Sequence, residues 1–410
     1  MAKYLRKFGL SHCDLPTMLW NVAVLLRVNC INIDRNYKRI PWIFYLLNVI
    51  CCGCHIYAYI FSAIWFTFVR CRETGDYAAA AVEFSIGACS GCASKFIYMH
   101  LYSDTVINLV EDYLRCDSLI VPRTRYASNV LKYSRVVKKR ATIIWTALVM
   151  NGIIYILLPF VTPGRHLTED LFVVYGLEPM FESPNYEIAM VFLILGVCFA
   201  VCTLSNTTMF ILTVVGYLEA QMQALSEELL NVWDDSKRFY DKYRTEIEVV
   251  NENHLENIIR NLFIKYRLEE VIQFHVLIIS LRNKVEKELR YIFIVEFILR
   301  FLGTVAELFG GLENTYLELP YTFVQLYMEC LIGQRLIDAS NVFENSLYEC
   351  KWENFNIDNR KTVLFMLQCS QKTLTLSAGG MAVLSYSCLM EVMKTTYSAY
   401  TTMQSTVDKK

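Results

Sequence analysis

Residues 188–215 read "IAMVFLILGVCFAVCTLSNTTMFILTVV". No Lys, Arg, Asp or Glu interrupts the run, and about twenty apolar residues suffice to carry a helix across a bilayer. The triplet Asn206-Thr207-Thr208 has the form of a glycosylation acceptor, but within a span no glycosyl transferase reaches it. This stretch makes the chain a membrane protein. Its neighbours must then be spans, loops, or helices that continue spans into water.

Working outward, six further stretches qualify as spans: 41–68, 77–101, 141–161, 290–311, 320–338 and 374–400. The whole chain of 410 residues is 55% hydrophobic and only 19% charged, where soluble domains carry about 25% charge. Two of the spans are unusually polar. The fifth holds Glu296, Arg300 and Glu307; the sixth holds Gln325, Glu329 and Gln334. Such groups are costly in lipid and must face protein or water. Glu296 and Arg300, four residues apart, can pair on one helix face.

Lys and Arg in the short loops set the orientation. The N-terminal arm holds Lys3, Arg6, Lys7, Arg27, Arg35, Lys38 and Arg39, and 102–140 ends in "RVVKKR". Lys351, Arg360 and Lys361 precede the last span. The other side has Arg70, Arg72, Arg165, Lys409 and Lys410, and its loop 162–187 is acidic. An all-α membrane protein is expected, with seven transmembrane helices, a cytoplasmic N-terminus and an extracellular C-terminus. That is the reverse of G-protein-coupled receptors. The basic start "MAKYLRKFGL" lacks the form of a cleaved leader, so the first span would direct insertion.

Several function classes are excluded. A net charge of −1 gives no basic surface for nucleic acid. No His, Cys or carboxylates converge at ligand or catalytic spacing within the spans, so neither an enzyme nor a metal or other cofactor is expected. The two halves are unlike, which argues against a transporter built on repeats. Among the 15 cysteines, "CCGCH" at 51–55 and "CSGC" at 89–92 look active. Neither has a second ligand pair nearby, and Cys packs well between membrane helices.

Between 217 and 290 there is no Pro and no Gly. Ile258, Leu262, Tyr266, Glu269, Ile272 and Val276 fall on neighbouring turns, which predicts helices with an apolar face for a partner. These are read as cytoplasmic extensions of the fourth and fifth spans, forming a packed layer. His254 and His275 within it are read as packing or surface residues. The regions are then 1–216, holding four spans and the ligand pocket; 217–373, the cytoplasmic anchor with spans five and six; and 374–410, the last span.

That last span ends "MEVMKTTYSAYTTMQSTVDKK" over 390–410. Glu391, Thr395, Ser398, Thr402 and Ser405 advance by 4, 3, 4 and 3, so they share one face. Leu389, Val392, Thr396, Ala399 and Met403 form a more apolar face. A polar stripe on a spanning helix wants water; the alternative is that its hydroxyls bond back to helix carbonyls. Lys394 can pair with Glu391 or lie near the cytoplasmic mouth.

Gly333 and Gln334, Ser340, the spacing of Tyr348 and Trp352, the triplet Gln371-Lys372-Thr373 and the closing run Thr396 to Thr401 follow in order within the last ninety residues. On these motifs the chain resembles the insect odorant receptor family. Thr373 stands where the family usually has Pro. The related gustatory receptors end in T-Y-x5-Q-F; here Gln404 falls one residue late and no Phe follows. The resemblance implies a tuning subunit of an odorant- or pheromone-gated, non-selective cation channel. Four subunits would surround a pore lined by the last span, assembled as a hetero-oligomer with a shared co-receptor through the cytoplasmic layer. It further implies a multi-pass plasma-membrane protein of the olfactory neuron dendrite, a small volatile ligand and permeating cations. The gate is expected near 402–406, where Thr402 and Thr406 are polar. A gustatory-type channel or a metabotropic seven-helix receptor are the alternatives.

In this topology the outer halves of the spans would hold the ligand. Phe84, Ala88, Met150, Ile154, Val191, Leu195, Phe199, Phe323 and Tyr327 are the candidate ligand-binding residues, chosen as apolar stripes at helical spacing.

Overall fold

The structure is a computed structural model that describes residues 7–35, 40–75, 77–89, 92–244, 252–311 and 313–407. The described chain is almost entirely helical. Helix α1 is Leu15–Leu26, begun by Asp14, whose carboxylate accepts from the Thr17 amide at 3.1 Å. The first span is one continuous helix α2, Trp42–Glu73, widened by π turns at Ile56–Phe61 and Phe66–Arg70. The second span is described as α3 (Tyr77–Cys89) and α4 (Cys92–Leu101). Then come α5 (Ser103–Ser118), α6 (Arg125–Val161), α7 (Asn185–Arg244), α8 (Glu252–Gly310), α9 (Glu318–Glu349) and α10 (Ile357–Ser370). A short hairpin, β1 (Ser377–Ala378) and β2 (Ala382–Val383), leads into α11 (Tyr386–Val407). By length and composition α2, α6 and α7 are apolar enough to cross a membrane.

Helices α7 and α8 each run well past their apolar halves. Sixty residues of α7 extend about 90 Å, and the helical continuation expected for 217–290 is present over 217–244 and 252–290. Their polar ends pack with α6 and α9 around Leu225, Leu229, Ile264, Leu268, Phe343 and Leu347. Arg125 of α6 braces this end, reaching Glu228 at 2.8 Å and Asp235 at 2.6 Å. His275 packs on the Phe343 ring, centroids 4.4 Å apart. The side chain of His254 lies outside the described part. Cys51, Cys52, Cys54, Cys198, Cys202, Cys330 and Cys388 are free thiols; Cys89 and Cys92 fall outside the described side chains.

A group of four charges ties three helices together. Lys95 of α4 lies 2.7 Å from Glu296 of α8 and 3.0 Å from Glu329 of α9. Arg300 of α8 lies 3.0 Å from Glu296 and 2.7 Å from Glu329. All four side chains are at most 8% exposed. Two cations meet two carboxylates, so the set is neutral. The expected Glu296–Arg300 pair is present, and Lys95 and Glu329 complete it.

The last span differs from the expected 374–400. Residues 374–385 do not continue a helix; they fold as the hairpin, and α11 starts only at Tyr386. Gly379 and Gly380 take φ of +65° and +76° at its turn, a backbone that glycine adopts without penalty. Glu286 of α8 accepts hydrogen bonds from the Ser377 amide, at 2.9 Å, and from its hydroxyl. The Gly379 amide donates to the Arg290 carbonyl at 2.8 Å. Three of the motif residues seat this segment. A Cβ at Gly333 would come within 2.2 Å of the Leu384 carbonyl oxygen, so only glycine lets the hairpin exit lie on α9. Gln334 Oε1 accepts from the Tyr386 amide at 3.2 Å, and Ser340 Oγ accepts from the Leu374 amide at 3.2 Å.

Removing one member of the neutral set leaves a buried charge unbalanced. Lys95→Met should cost about 3–5 kcal/mol, read as lower surface yield and a lower melting midpoint in detergent. Adding Glu296→Gln leaves Arg300 with Glu329 alone and should restore most of the loss. A melting midpoint for Lys95→Met equal to that of the unmodified chain would contradict this account.

Candidate ligand cavity and pore face

The first span turns from α to π geometry immediately after His55, and π turns tend to mark functional sites. There α2 lies very close to α7. A Cβ at Gly196 would stand 2.6 Å from the Tyr59 ring and 3.3 Å from the His55 Cα. The contact is held by the Tyr59 hydroxyl, which donates to the Leu193 carbonyl at 3.1 Å, and by His55 Nδ1, 3.1 Å from the Gly196 carbonyl.

Beside this crossing is a cavity of about 100 Å³ between α2, α3, α6, α7 and α9. Its wall is largely apolar, with Ile86, Val197, Ala200 and Val201. A few polar groups join it. Asn151 Nδ2 donates to the Leu317 carbonyl at 3.3 Å. Glu318 accepts from Tyr155 at 3.4 Å and from Ser85 at 3.2 Å. Apolar walls with a few fixed polar groups are what a small-molecule site requires.

A second, wider space of about 330 Å³ adjoins the first and shares Tyr155, Leu317 and Glu318 with it. His166, Glu169, Asp170 and Glu313 line its far side. Burial pushes the Glu169 carboxyl up to about 8. The Asp170 carboxylate, 2.6 Å away, raises His166. This vestibule therefore carries less negative charge at neutral pH than its carboxyl count suggests.

None of the nine residues chosen from the sequence lines the cavity. Met150, Ile154, Val191, Phe323 and Tyr327 point outward and are 36–54% exposed. Phe84 and Leu195 are half-buried, and Ala88 is buried against other helices. Phe199 is buried and packs on the His55 ring, centroids 5.3 Å apart. The candidates lie on four of the helices around the cavity, mostly on other faces of them. On α6 the wall is Asn151 and Tyr155, each one position beyond Met150 and Ile154; on α9 it is Thr322, one before Phe323. Lipid is as apolar as a protein core, so the most apolar face of a span need not point inward. His55 and Tyr59 were missed because the first span was passed over. Two polar side chains in an apolar span were the available signal.

The stripe on α11 is exposed at Glu391, Thr395, Ser398, Thr402 and Ser405; the side chain of Thr406 lies outside the described part. Lys394, Thr395, Ser398 and Thr402 edge one groove on this face. Leu389 and Thr396 are buried on the other face, and Tyr400 packs on Phe309 of α8 at 5.3 Å. The hydroxyls do bond back along the helix: Thr395 to the Glu391 carbonyl at 2.8 Å, Thr402 to Ser398 at 2.8 Å and Ser405 to Thr402 at 2.8 Å. Their hydrogens are therefore committed inward, and the oxygens stay on the open face as acceptors.

The family model described as 7tm Odorant receptor matches residues 79–309 and 319–397, well over half of the chain. The chain belongs to the odorant receptor family. The receptor is 29% identical over 107 residues to Odorant receptor 49a of Drosophila melanogaster, a match covering 26% of this chain and 27% of that one. Its fold is similar to the insect olfactory receptor OR5 from Machilis hrabei, with a TM-score of 0.71, 12% identity and 95% and 98% of the two chains covered. The OR5 structure in complex with eugenol superposes comparably, at TM-score 0.70 and 13% identity, with 96% and 98% covered. At such identities the likeness speaks for the fold.

If the α2–α7 crossing shapes the cavity, a single methyl group there should disturb it. Gly196→Ala must displace the Tyr59 ring or part the helices, a change of about 1–3 kcal/mol. We expect a lowered melting midpoint together with weakened ligand responses, and partial recovery in Gly196→Ala with Tyr59→Leu. No shift in either measurement would mean that the helices part freely here.

Proposed function

We propose that the receptor is the odorant-binding tuning subunit of a ligand-gated, non-selective cation channel and works with a shared co-receptor. The observation that carries this reading is the pairing, in one chain, of a largely apolar cavity with a separate helix whose polar face is exposed among the described residues. A cavity alone suits any small-molecule receptor. The exposed oxygen stripe on α11 favours a conduit, because carbonyl and hydroxyl oxygens replace the water around a permeating cation. OR5 from Machilis hrabei was solved in complex with eugenol, which supports a small organic ligand here.

In this reading the N-terminus and the long ends of α7 and α8 are cytoplasmic. The 162–184 loop and the C-terminus then face outward, which puts the cavity in the outer half of the bundle with the vestibule above it. The residues proposed for the ligand are His55, Tyr59, Asn151, Tyr155, Ala200 and Thr322, with Phe199 backing His55. Glu391, Thr395, Ser398, Thr402, Ser405 and Thr406 are proposed to line the pore, with a comparatively wettable gate at 402–406.

Assembly is supported by the apolar faces left open at the far end. Ile258, Leu262, Tyr266 and Val276 of α8 and Ile357, Leu364 and Phe365 of α10 are all 45–69% exposed. Such surface in water asks for a partner. We propose that the layer joins subunits into a hetero-tetramer with the co-receptor, in the plasma membrane of an olfactory neuron dendrite.

Expression with and without an insect co-receptor, recording currents to an odorant panel, tests the reading. Current is expected only when both chains are present, and Ala200→Phe, which fills the cavity, should shift half-maximal concentrations at least about tenfold without reducing surface staining. Current from the receptor alone would contradict the tuning-subunit role. For the pore, Thr402→Leu should lower open probability or conductance at unchanged odorant sensitivity; an unaltered current–voltage relation would remove Thr402 from the gate.

A further inference from the structure

The hydrogen-bonding groups around the cavity are unevenly committed. The hydroxyl hydrogens of Tyr59, Tyr155 and Thr322 go to the Leu193 carbonyl, Glu318 Oε1 and Glu307 Oε1, the last at 2.8 Å. One amide hydrogen of Asn151 goes to the Leu317 carbonyl. These donors face protein acceptors.

His55 is the opposite case. Its side chain lines the cavity and the residue is 1% exposed. Nδ1 lies 3.1 Å from the Gly196 carbonyl oxygen, which can only accept, so Nδ1 carries the hydrogen and donates it. In the neutral ring the other nitrogen is then a bare acceptor. Among the described residues no carboxylate is paired with this imidazole, and burying an unpaired charge is costly, so the ring is neutral. Among the described residues Nε2 has no hydrogen-bond partner. A buried acceptor left without a donor is a standing cost, and an occupant that donates removes it.

We propose that His55 makes the cavity selective for small neutral molecules that carry a hydroxyl group, alcohols or phenols, whose O–H donates to Nε2. The proposal rests on the reading that this cavity is the odorant site. Hydrocarbons and ethers of the same shape fill the apolar walls equally well but leave Nε2 unpaired. Ammonium compounds could donate, but they would bring their charge into an apolar space. A site built around one hydrogen bond discriminates against the analogue lacking it more strongly than an apolar wall discriminates one methylene.

The test uses the full receptor expressed with an insect co-receptor. Alkanols are each paired with the isomeric methyl ether, and phenols with the toluene of matching shape. On the unmodified receptor the hydroxyl member of each pair should act at about tenfold lower concentration. His55→Phe, with surface staining unchanged, should bring the members of each pair within about twofold. Ethers or toluenes as potent as their hydroxyl partners overturn the proposal, as does silence towards every hydroxyl compound from receptor that reaches the surface. A preference that survives His55→Phe also overturns it. Ala200→Phe separates the two levels: if it leaves the responses intact, the cavity is not the odorant site and the underlying reading falls. If it silences them while the hydroxyl preference is absent, only the role of His55 falls. The comparison on the unmodified receptor needs no variant to fold.

Discussion

Four charges inside an apolar bundle can persist only as a neutral, mutually bonded set. Lys95, Glu296, Arg300 and Glu329 satisfy that condition across α4, α8 and α9. Such a set contributes little net stability, because desolvating its members offsets much of their attraction. Its effect is on register. Glu296 and Arg300 stand one turn apart on α8, so both face the same partners only at one rotation of that helix. The same rotation presents Glu286 and Arg290, further along α8, to the hairpin at 377–379. The hairpin in turn delivers Tyr386 to Gln334 and starts α11. The position of the proposed pore helix is therefore inherited, step by step, from a charge set buried in the bundle.

Much of this order was legible in the residues. Apolar runs located α2, α6 and α7, the helices long and apolar enough to cross a membrane, and the absence of Pro and Gly over 217–290 pointed to the helices that continue α7 and α8 over 217–244 and 252–290. Spacing placed Glu296 beside Arg300 and put Thr395, Ser398, Thr402 and Ser405 on one exposed face of α11. The failures have physical causes. "LTLSAGGMAVL" is as apolar as a span partly because Leu374, Leu376, Ala378 and Leu384 of this segment are buried in protein, and composition cannot distinguish burial in protein from burial in lipid. Lys95 passed unnoticed because a lone cation near the end of an apolar stretch resembles a snorkelling residue. The candidate ligand stripes run along faces next to the cavity wall rather than on it, since periodicity does not tell which face meets lipid.

The motif residues acquire a cause from the geometry. Gly333 is small because the Leu384 carbonyl occupies the space a side chain would need, and Gln334 and Ser340 supply acceptors for amides that leave helical structure. All three stand on α9 and serve the segment that leads into α11. Thr373, in the position where Pro is usual, falls just beyond α10, whose end is already fixed by the Gln371 amide bonding back to the Leu367 carbonyl at 3.1 Å. The helix ends at Ser370 without a proline.

Helix α9 connects the cavity to the seat of α11. Its first turns place Glu318 and Thr322 at the cavity wall, and Gly333 and Gln334 lie about 16 Å further along the same rod. A rigid helix transmits a tilt at one end to the contacts at the other, and the contacts here are an amide cap and a close backbone approach, which tolerate little displacement. A ligand that only fills the cavity equally well in both arrangements moves nothing, however tightly it binds. What would open the proposed channel is the difference in how α9 meets the occupant before and after the tilt. The polar groups nearest its first turn, Glu318 with Tyr155 and Ser85, are the ones whose bonds such a tilt would have to lengthen.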